Sequence, residues 1–284
     1  MLSYRHAFHA GNHADVLKHL VLLQCLAQLN RKETPYWVVD THAGAGIYPL
    51  QSAVGEKLAE WRDGIARLWE ASADDLPEPL LDYRQRVARL NTDGQLHNYP
   101  GSPWFAWSLS RDGDSLRLFE RHPADAQTLR GNLDGAGGRV RVAESDGFAG
   151  LKALLPPPPR RGLVLIDPSY ETRGDYDAVP LALAEGLKRF ATGIYAIWYP
   201  RLSRRDARQL PERLKDVSAA RPWLDVTLDV TRPAADGHGL FGSGMFVVNP
   251  PWTLRTALDA SLPWLAEHLG ERGVYSVTES QPTT

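Results

Sequence analysis

Apolar positions along this chain switch between two periods. From about His13 to Asn30, Val16, Leu17, Leu20, Val21, Leu23 and Leu26 recur at helical spacing, which predicts one long helix. Arg31-Lys32-Glu33-Thr34-Pro35 breaks it. Tyr36-Trp37-Val38-Val39 is a short, continuous, partly β-branched run, which predicts a buried strand ended by Asp40. Further strand-like runs are Ser115–Phe119, Arg139–Ala143, Gly162–Ile166, Gly193–Trp198, Leu224–Val230 and Met245–Val248. They end at or near Glu120, Asp146-Gly147, Asp167 and Tyr199-Pro200 in the first four cases. Strands alternating with helices at this rhythm predict an α/β fold with a mostly parallel, doubly wound sheet. The last two runs are joined by the Gly-rich segment 236–244 and read as a hairpin, which makes the last strand antiparallel. The tail after Val277 is expected to fray.

Residues 48–100 interrupt this rhythm. Leu50, Val54, Leu58, Trp61, Ile65 and Leu68 form a helical stripe, Pro77 and Pro79 interrupt it, and a second helix is expected from about Leu80 to Leu90. No strand pattern appears there, so the segment reads as a small helical insertion subdomain within a single domain spanning residues 1–284. Tyr99-Pro100-Gly101-Ser102-Pro103 is a rigid loop before an aromatic helix carrying Trp104, Phe105 and Trp107.

Composition narrows the class. With 284 residues, 43% hydrophobic and 23% charged, the chain has the make-up of an ordinary globular enzyme with a sizeable core. One cysteine, Cys25, excludes an internal disulfide and a cysteine-based zinc site, and fits a reducing cytoplasm. No stretch reaches transmembrane length and the N-terminus lacks an apolar signal core, so a cytoplasmic protein with no membrane partner is expected. The formal net charge of −2 gives no global pull toward nucleic acid, so any such binding must use a local basic patch. Arg201, Arg204, Arg205 and Arg208, with Arg160-Arg161, are the candidates for holding phosphates near a pocket rim.

The chemistry gathers at strand ends. Asp40 is followed by His42-Ala43-Gly44-Ala45-Gly46, a turn without large side chains that lets backbone approach a ligand at the carboxyl end of a buried strand. It is neither G-x-G-x-x-G nor a P-loop. It resembles the first motif of the S-adenosylmethionine-dependent methyltransferases, with His42 where many of them have the first glycine. Asp40, Glu120, Asp146 and Asp167 end successive predicted strands and would face one crevice. Each alone could be a helix cap. Together they suit adenosine, whose two hydroxyls and exocyclic amine are donors: Glu120 for the ribose, Asp146 for the adenine amine.

Asp167-Pro168-Ser169-Tyr170 resembles the D/N-P-P-Y/F/W motif of methyltransferases acting on exocyclic amines, with Ser169 in place of the second proline. The amine of adenine shares its lone pair with the ring and is a poor nucleophile. A carboxylate and a backbone carbonyl accepting its two N–H bonds return density to nitrogen and can take the proton. The aromatic residue stacks on the extruded base. Asn249-Pro250-Pro251-Trp252 matches the same pattern letter for letter, but it follows the antiparallel strand and is therefore expected at the opposite sheet edge, as a structural exit.

Four of the nine histidines, His6, His9, His13 and His19, lie in YRHAFHAGNHADVLKH. A histidine-only zinc site is disfavoured, because no cysteine joins them. Solvated histidines, or a polar and aromatic lid touching nucleic acid and cofactor, are the other readings.

That stretch, with DTHAGAG, YPGSP, the DP-x-Y turn and SGM…VNPPW in this order, resembles the bacterial 23S rRNA (adenine(2030)-N6)-methyltransferase family over nearly the whole chain. The resemblance implies a Rossmann-like class I methyltransferase using S-adenosyl-L-methionine, released as S-adenosyl-L-homocysteine, without a metal. It implies cofactor contacts from Lys18, His19, His42, Gly44, Ser102, Glu120, Asp146, Gly147 and Asp167, catalysis by Asp167 with Pro168 and Tyr170, and RNA contacts from Tyr4 and His6. The partner would be 23S rRNA and the protein a monomer. Three rivals stand beside this reading: an RNA-binding protein that has lost catalysis, a DNA adenine-N6 methyltransferase, and a dinucleotide-dependent oxidoreductase, the last disfavoured by the missing G-x-G-x-x-G.

Overall fold

The computed structural model describes residues 5–234, 239–270 and 273–280. Its strands are β1 (Trp37–Asp40), β2 (Ile47–Pro49), β3 (Asn98–Pro100), β4 (Ser115–Phe119), β5 (Val140–Ala143), β6 (Gly162–Ile166), β7 (Ile194–Arg201), β8 (Trp223–Asp229), β9 (Gly242–Val248) and β10 (Val274–Glu279). Its α-helices are α1 (His13–Asn30), α2 (Gly55–Leu58), α3 (Ile65–Glu70), α4 (Glu78–Ala88), α5 (Ser102–Leu109), α6 (Pro123–Asn132), α7 (Gly147–Leu154), α8 (Arg173–Arg189), α9 (Arg205–Val217) and α10 (Leu254–His268).

Eight strands form one sheet in the order β10-β8-β9-β7-β6-β1-β4-β5. The run β5-β4-β1-β6-β7 is parallel, as the continuous apolar strands require of a sheet covered on both faces. β9 runs antiparallel between β7 and β8, so the hairpin and its reversed strand follow the sequence expectation. Both β7 and β9 are longer than expected, because they pair with each other out to Arg201 and Gly242. Of the expected hairpin loop, residues 236–238 lie outside the described residues.

Alternation along each strand builds two cores. Val38, Leu163, Leu165, Ala196, Met245 and Val247 face a layer containing α1, α5 and α10. Val39, Val164, Ile166, Tyr195, Ile197, Phe246 and Val248 face the side of α8 and α9. α1 runs under β9, β7 and β6 and is buried nearly all round, with Asn12 capping it through bonds from the Ala14 and Asp15 amides (both 3.0 Å).

Two expectations need correction. The tail does not fray at Val277: Val277, Thr278 and Glu279 belong to β10, which pairs antiparallel with β8, and the Ser280 amide bonds Trp223 O. β10 is exposed at nearly every position, so no buried face marks it in the sequence. Residues 48–100 also hold strand: β2 and β3 pair antiparallel, Tyr48 opposite Tyr99, and bracket the short helices α2, α3 and α4. The Ile65 amide donates to Gly11 O (2.8 Å), so these helices also brace the segment leading into α1.

Candidate active site

The leaving ends of β1, β4, β6 and β7 share one edge of the sheet and open on a cavity of about 390 Å³. After β1 the chain turns through Gly44 at φ +62°, where a Cβ would stand 2.1 Å from Tyr48 Oη. The freed Gly44 amide donates to Glu120 Oε2 (2.9 Å) and the His122 amide to Glu120 Oε1 (2.7 Å). Each carboxylate oxygen keeps an acceptor site for a ligand. Burial raises the Glu120 carboxyl above its ordinary value despite those bonds. Burial pushes His42 down to about 4, so its ring is neutral at physiological pH, and it stands edge-on to Phe148 at 5.0 Å.

The first turns of α1 supply the opposite wall. Lys18 Nζ lies 2.6 Å from Asp167 Oδ2 and 2.7 Å from Asp15 Oδ1. Asp15 Oδ2 in turn accepts the Gly11 amide (2.8 Å) and meets His6 Nε2 (2.9 Å). Burial alone would neutralise both partners. Instead the two carboxylates hold the Lys18 ammonium well above its usual value, and His6 and Lys18 hold Asp15 well below its own. Among the described residues Asp167 Oδ1 accepts no hydrogen bond.

His19 Nδ1 is 2.6 Å from Tyr99 Oη, which is 2.7 Å from Tyr83 Oη on α4. Burial drives His19 well below its ordinary value, and its buried Nε2 has no partner among the described residues. Ser102, the first residue of α5, donates to Asp40 Oδ2 (2.7 Å), and the His42 amide donates to Asp40 Oδ1 (3.2 Å). Burial pushes Asp40 up to about 6.

Past β6, Tyr170 sits at φ +52°, a left-handed conformation that costs a non-glycine residue about 1–3 kcal/mol. Its hydroxyl donates to Trp198 O (2.7 Å), and its ring packs against Tyr176 and Trp198 at 4.8 and 5.8 Å, which holds the turn.

The cavity wall thus brings together His6, Lys18, His19, His42, Gly44, Ser102, Glu120, Asp167, Pro168 and Tyr170. Tyr4 lies outside the described residues. Asp146 and Gly147 do not join the wall. Asp146 Oδ1 caps α7, accepting the Phe148 (2.8 Å) and Ala149 (3.2 Å) amides, and Oδ2 faces Arg121 at 3.9 Å. Gly147 packs α7 against β1, since a Cβ there would lie 2.2 Å from Thr41 O. Arg160-Arg161 are also misplaced by the sequence reading: they precede β6 and so lie at the far edge, where Arg161 donates to the carbonyls of Leu29, Lys32 and Thr34. Arg201 is tied to Asp229 (2.7 Å). Asn249 follows β9 at that far edge, as its antiparallel strand requires, and its amide donates to Ala191 O (3.0 Å) and Gly193 O (2.7 Å).

Asp15, Tyr48 and Trp198 line the cavity without having been singled out. Asp15 was findable: an acid three residues before Lys18 on a helix shares its face. Among the described residues no group of three His, Cys, Asp or Glu side chains is placed to hold a metal ion, and no helix is long and apolar enough to cross a membrane.

Against known proteins, the family model described as ribosomal RNA large subunit methyltransferase D, RlmJ, matches residues 33–279. The chain is 48% identical over 280 residues to ribosomal RNA large subunit methyltransferase J of Escherichia coli K12, covering 99% of this chain and 98% of the relative. It is 47% identical over 279 residues to the protein of that name from Haemophilus influenzae, covering 98% of each. A crystal structure of a Legionella pneumophila protein superposes with a TM-score of 0.89 at 33% identity, covering 96% of this chain and 99% of that one.

Proposed function

The chain belongs to the ribosomal RNA large subunit methyltransferase J family and is a ribosomal RNA methyltransferase, and from that premise we propose how its cavity works. The substrate pair is S-adenosyl-L-methionine and one adenine of 23S rRNA, position 2030 by resemblance, methylated on N6. The protein acts as a monomer in the cytoplasm.

The observation that carries this reading is one juxtaposition: the Asp167–Tyr170 turn shares its cavity with the Gly44 turn and Glu120. The donor set suits the cofactor. Glu120 has acceptor sites left for ribose hydroxyls, the Gly44 turn admits close backbone approach, and His19, a cavity-lining residue, keeps a buried Nε2 without a partner among the described residues. Asp146, capping α7 just outside the wall, keeps an oxygen that the adenine amine would reach after Arg121 shifts. S-adenosyl-L-methionine, when bound, supplies an electrophilic methyl group.

The protein's own part is positioning. Lys18 holds Asp167 Oδ2 and leaves Oδ1 facing the target amine. Asp167 Oδ1 and the Pro168 carbonyl would accept the two N6–H bonds, localising the lone pair on nitrogen, and Asp167 is the group placed to take up the N6 proton. Tyr170 gives the extruded base an aromatic wall, fixed by its bond to Trp198 O. Asp15 is the positioning residue behind Lys18, and through His6 it connects the catalytic pair to the segment that meets RNA.

The test is transfer of labelled methyl from S-adenosyl-L-methionine to unmodified 23S rRNA, beside duplex DNA and the Asp167→Ala variant. N6-methyladenosine in RNA alone, lost in the variant, is expected. Cofactor binding without transfer to RNA overturns the reading.

A further inference from the structure

At the sheet edge opposite the cavity lies a basic and aromatic surface that the transfer chemistry does not use. Arg31 and Lys32 follow α1, Arg160 and Arg161 precede β6, and Trp252 follows β9, so five chemistry-bearing side chains converge from three chain segments. Lys32, Arg160 and Arg161 line a second cavity of about 270 Å³, floored by Leu29 and Ile194. Arg31 stands over the Trp252 ring, 5.1 Å from its centroid, and Trp252 is 72% exposed, the most exposed large hydrophobic side chain among the described residues.

Two features distinguish this strip from an ordinary solvated face. First, its cations are uncompensated: among the described residues Arg31, Lys32 and Arg160 form no ion pair, and the neighbouring acid Glu33 leans toward Arg111 at 3.9 Å. Secondly, its frame is built. Arg161 ties the end of α1 to β6 through the carbonyls of Leu29, Lys32 and Thr34, and Asn249 ties the Trp252 segment to residues 191 and 193, beside the Thr192 wall of the same cavity. Cations over a concave surface beside a held, exposed indole match the chemistry of a nucleic-acid strand, with phosphates to the cations and an unpaired base on the ring. A protein ligand would need an acidic, apolar segment, and nothing else on this surface selects one.

We propose that this far-edge strip is a second RNA-binding site, which holds a segment of the same substrate RNA remote from the target adenine by its phosphates and one unstacked base. The proposal rests on the ribosomal RNA methyltransferase reading above. The five residues of β6 put the two sites about 17 Å apart along the strand direction before loops are added, so a large folded RNA reaches both and a minimal hairpin reaches one. This also gives the Asn-Pro-Pro-Trp sequence a use: the strand exit presents Trp252.

The experiment uses the full chain with two RNAs, a short hairpin carrying the target adenine and a long 23S rRNA fragment containing it. Wild type, Trp252→Ala and the triple variant R31Q/K32Q/R160Q are compared by filter binding across a salt series and by methyl transfer. All four side chains are at the surface, so melting temperatures are expected to stay level. For the long RNA, Trp252→Ala is expected to raise Kd at least about fivefold, the low end of a lost stacking contact. The triple variant is expected to flatten the log Kd against log salt slope by about 2, at ~0.7–0.9 per phosphate contact removed. The hairpin should keep its wild-type Kd and kcat in both variants. Unchanged binding of the long RNA overturns the proposal, and so does an equal loss on both RNAs, which would report general charge rather than a second site. If wild type binds the long RNA yet methylates neither, the catalytic reading fails separately, and the strip is judged on binding alone.

Discussion

The two edges of the sheet carry the same kind of four-residue motif and do different work. Asp167-Pro168-Ser169-Tyr170 leaves the parallel strand β6, and Asn249-Pro250-Pro251-Trp252 leaves the antiparallel strand β9. By residue type the second is the better match to an amine-methyltransferase motif. Chain direction decides otherwise. β6 delivers Asp167 to the cavity, where Lys18 meets it at 2.6 Å. β9 delivers Asn249 to the entering ends of β7 and β8, where its amide closes two backbone carbonyls. Even the left-handed residue differs: Tyr170 in the first, which aims an aromatic ring, and Asn249 in the second, which aims an amide. A motif acquires its chemistry from the strand that carries it.

The sharpest way to break this comparison is to remove one residue from each edge. Asp167→Ala should lower kcat by about 10²–10⁴-fold, the range for a general base, with the fold intact. Asn249→Ala should leave kcat alone. If instead Asn249→Ala abolishes transfer and Asp167→Ala does not, the two edges have been assigned the wrong way round. Next in size is Asp15→Asn. Replacing the carboxylate loosens the Lys18 ammonium from a partner 2.7 Å away and lets Asp167 move by a fraction of an ångström. A kcat loss of about ten- to a hundredfold is expected, with S-adenosyl-L-methionine affinity measured by calorimetry held. A matched loss of cofactor affinity would show that Asp15 merely shapes the cavity.

Asn249→Ala does have a cost, which appears in stability. Two partly buried carbonyls lose their donor and a non-glycine residue without side-chain compensation is left at φ +52°. A loss of about 1–3 kcal/mol follows, readable as a melting temperature lowered by several degrees. Asn249→Asp should be as damaging, since a carboxylate cannot donate to either carbonyl.

How much of this was legible in the sequence follows from which forces leave a local trace. α1 shows its ends, because Asn12 is a cap and Arg31-Lys32 stops the apolar spacing, and the structure places the helix over His13–Asn30. Buried parallel strands show as apolar runs, and the hairpin before β9 reverses it, which was enough to send Asn249 to the far edge. What left no trace depends on partners remote in the chain. β10 is exposed and held by its ladder with β8, and β2 and β3 are three residues each, separated by about fifty. Among site residues the acids divide by how their carboxylates are used. Glu120 faces the cavity, whereas Asp146, of the same type at an equivalent strand end, caps the next helix. Strand-end position alone cannot separate those two uses. Asp15 splits the other way: its i,i+3 spacing to Lys18 is readable in the sequence, but only the fold shows that Lys18 crosses to Asp167 and so gives the pair its role.

The smallest effect concerns the kind of group each edge uses. The far edge closes its strand ends with a neutral amide, Asn249, whereas the cavity edge buries a carboxyl at Asp40, pushed up to about 6 from 3.8 because burial disfavours its charge. A carboxyl whose folded value is raised stabilises the fold while it is protonated, below its unfolded value, and that contribution is lost as pH rises through about 6. Asp40→Asn makes the cavity edge resemble the far one: the side chain stays neutral at every pH, accepts from the His42 amide and can donate to Ser102 Oγ, which already lies 2.7 Å from Asp40 Oδ2. A carboxyl raised from 3.8 to about 6 caps the gain at roughly 3 kcal/mol, and weaker acceptor strength in the amide reduces it to on the order of 1 kcal/mol. The variant should therefore melt with wild type near pH 3.5, below the unfolded value, and above it at pH 8. A gap of the same size at both pH values would mean that Asp40 is not charged by the fold's own burial in the range that matters, and that the two edges differ only in direction.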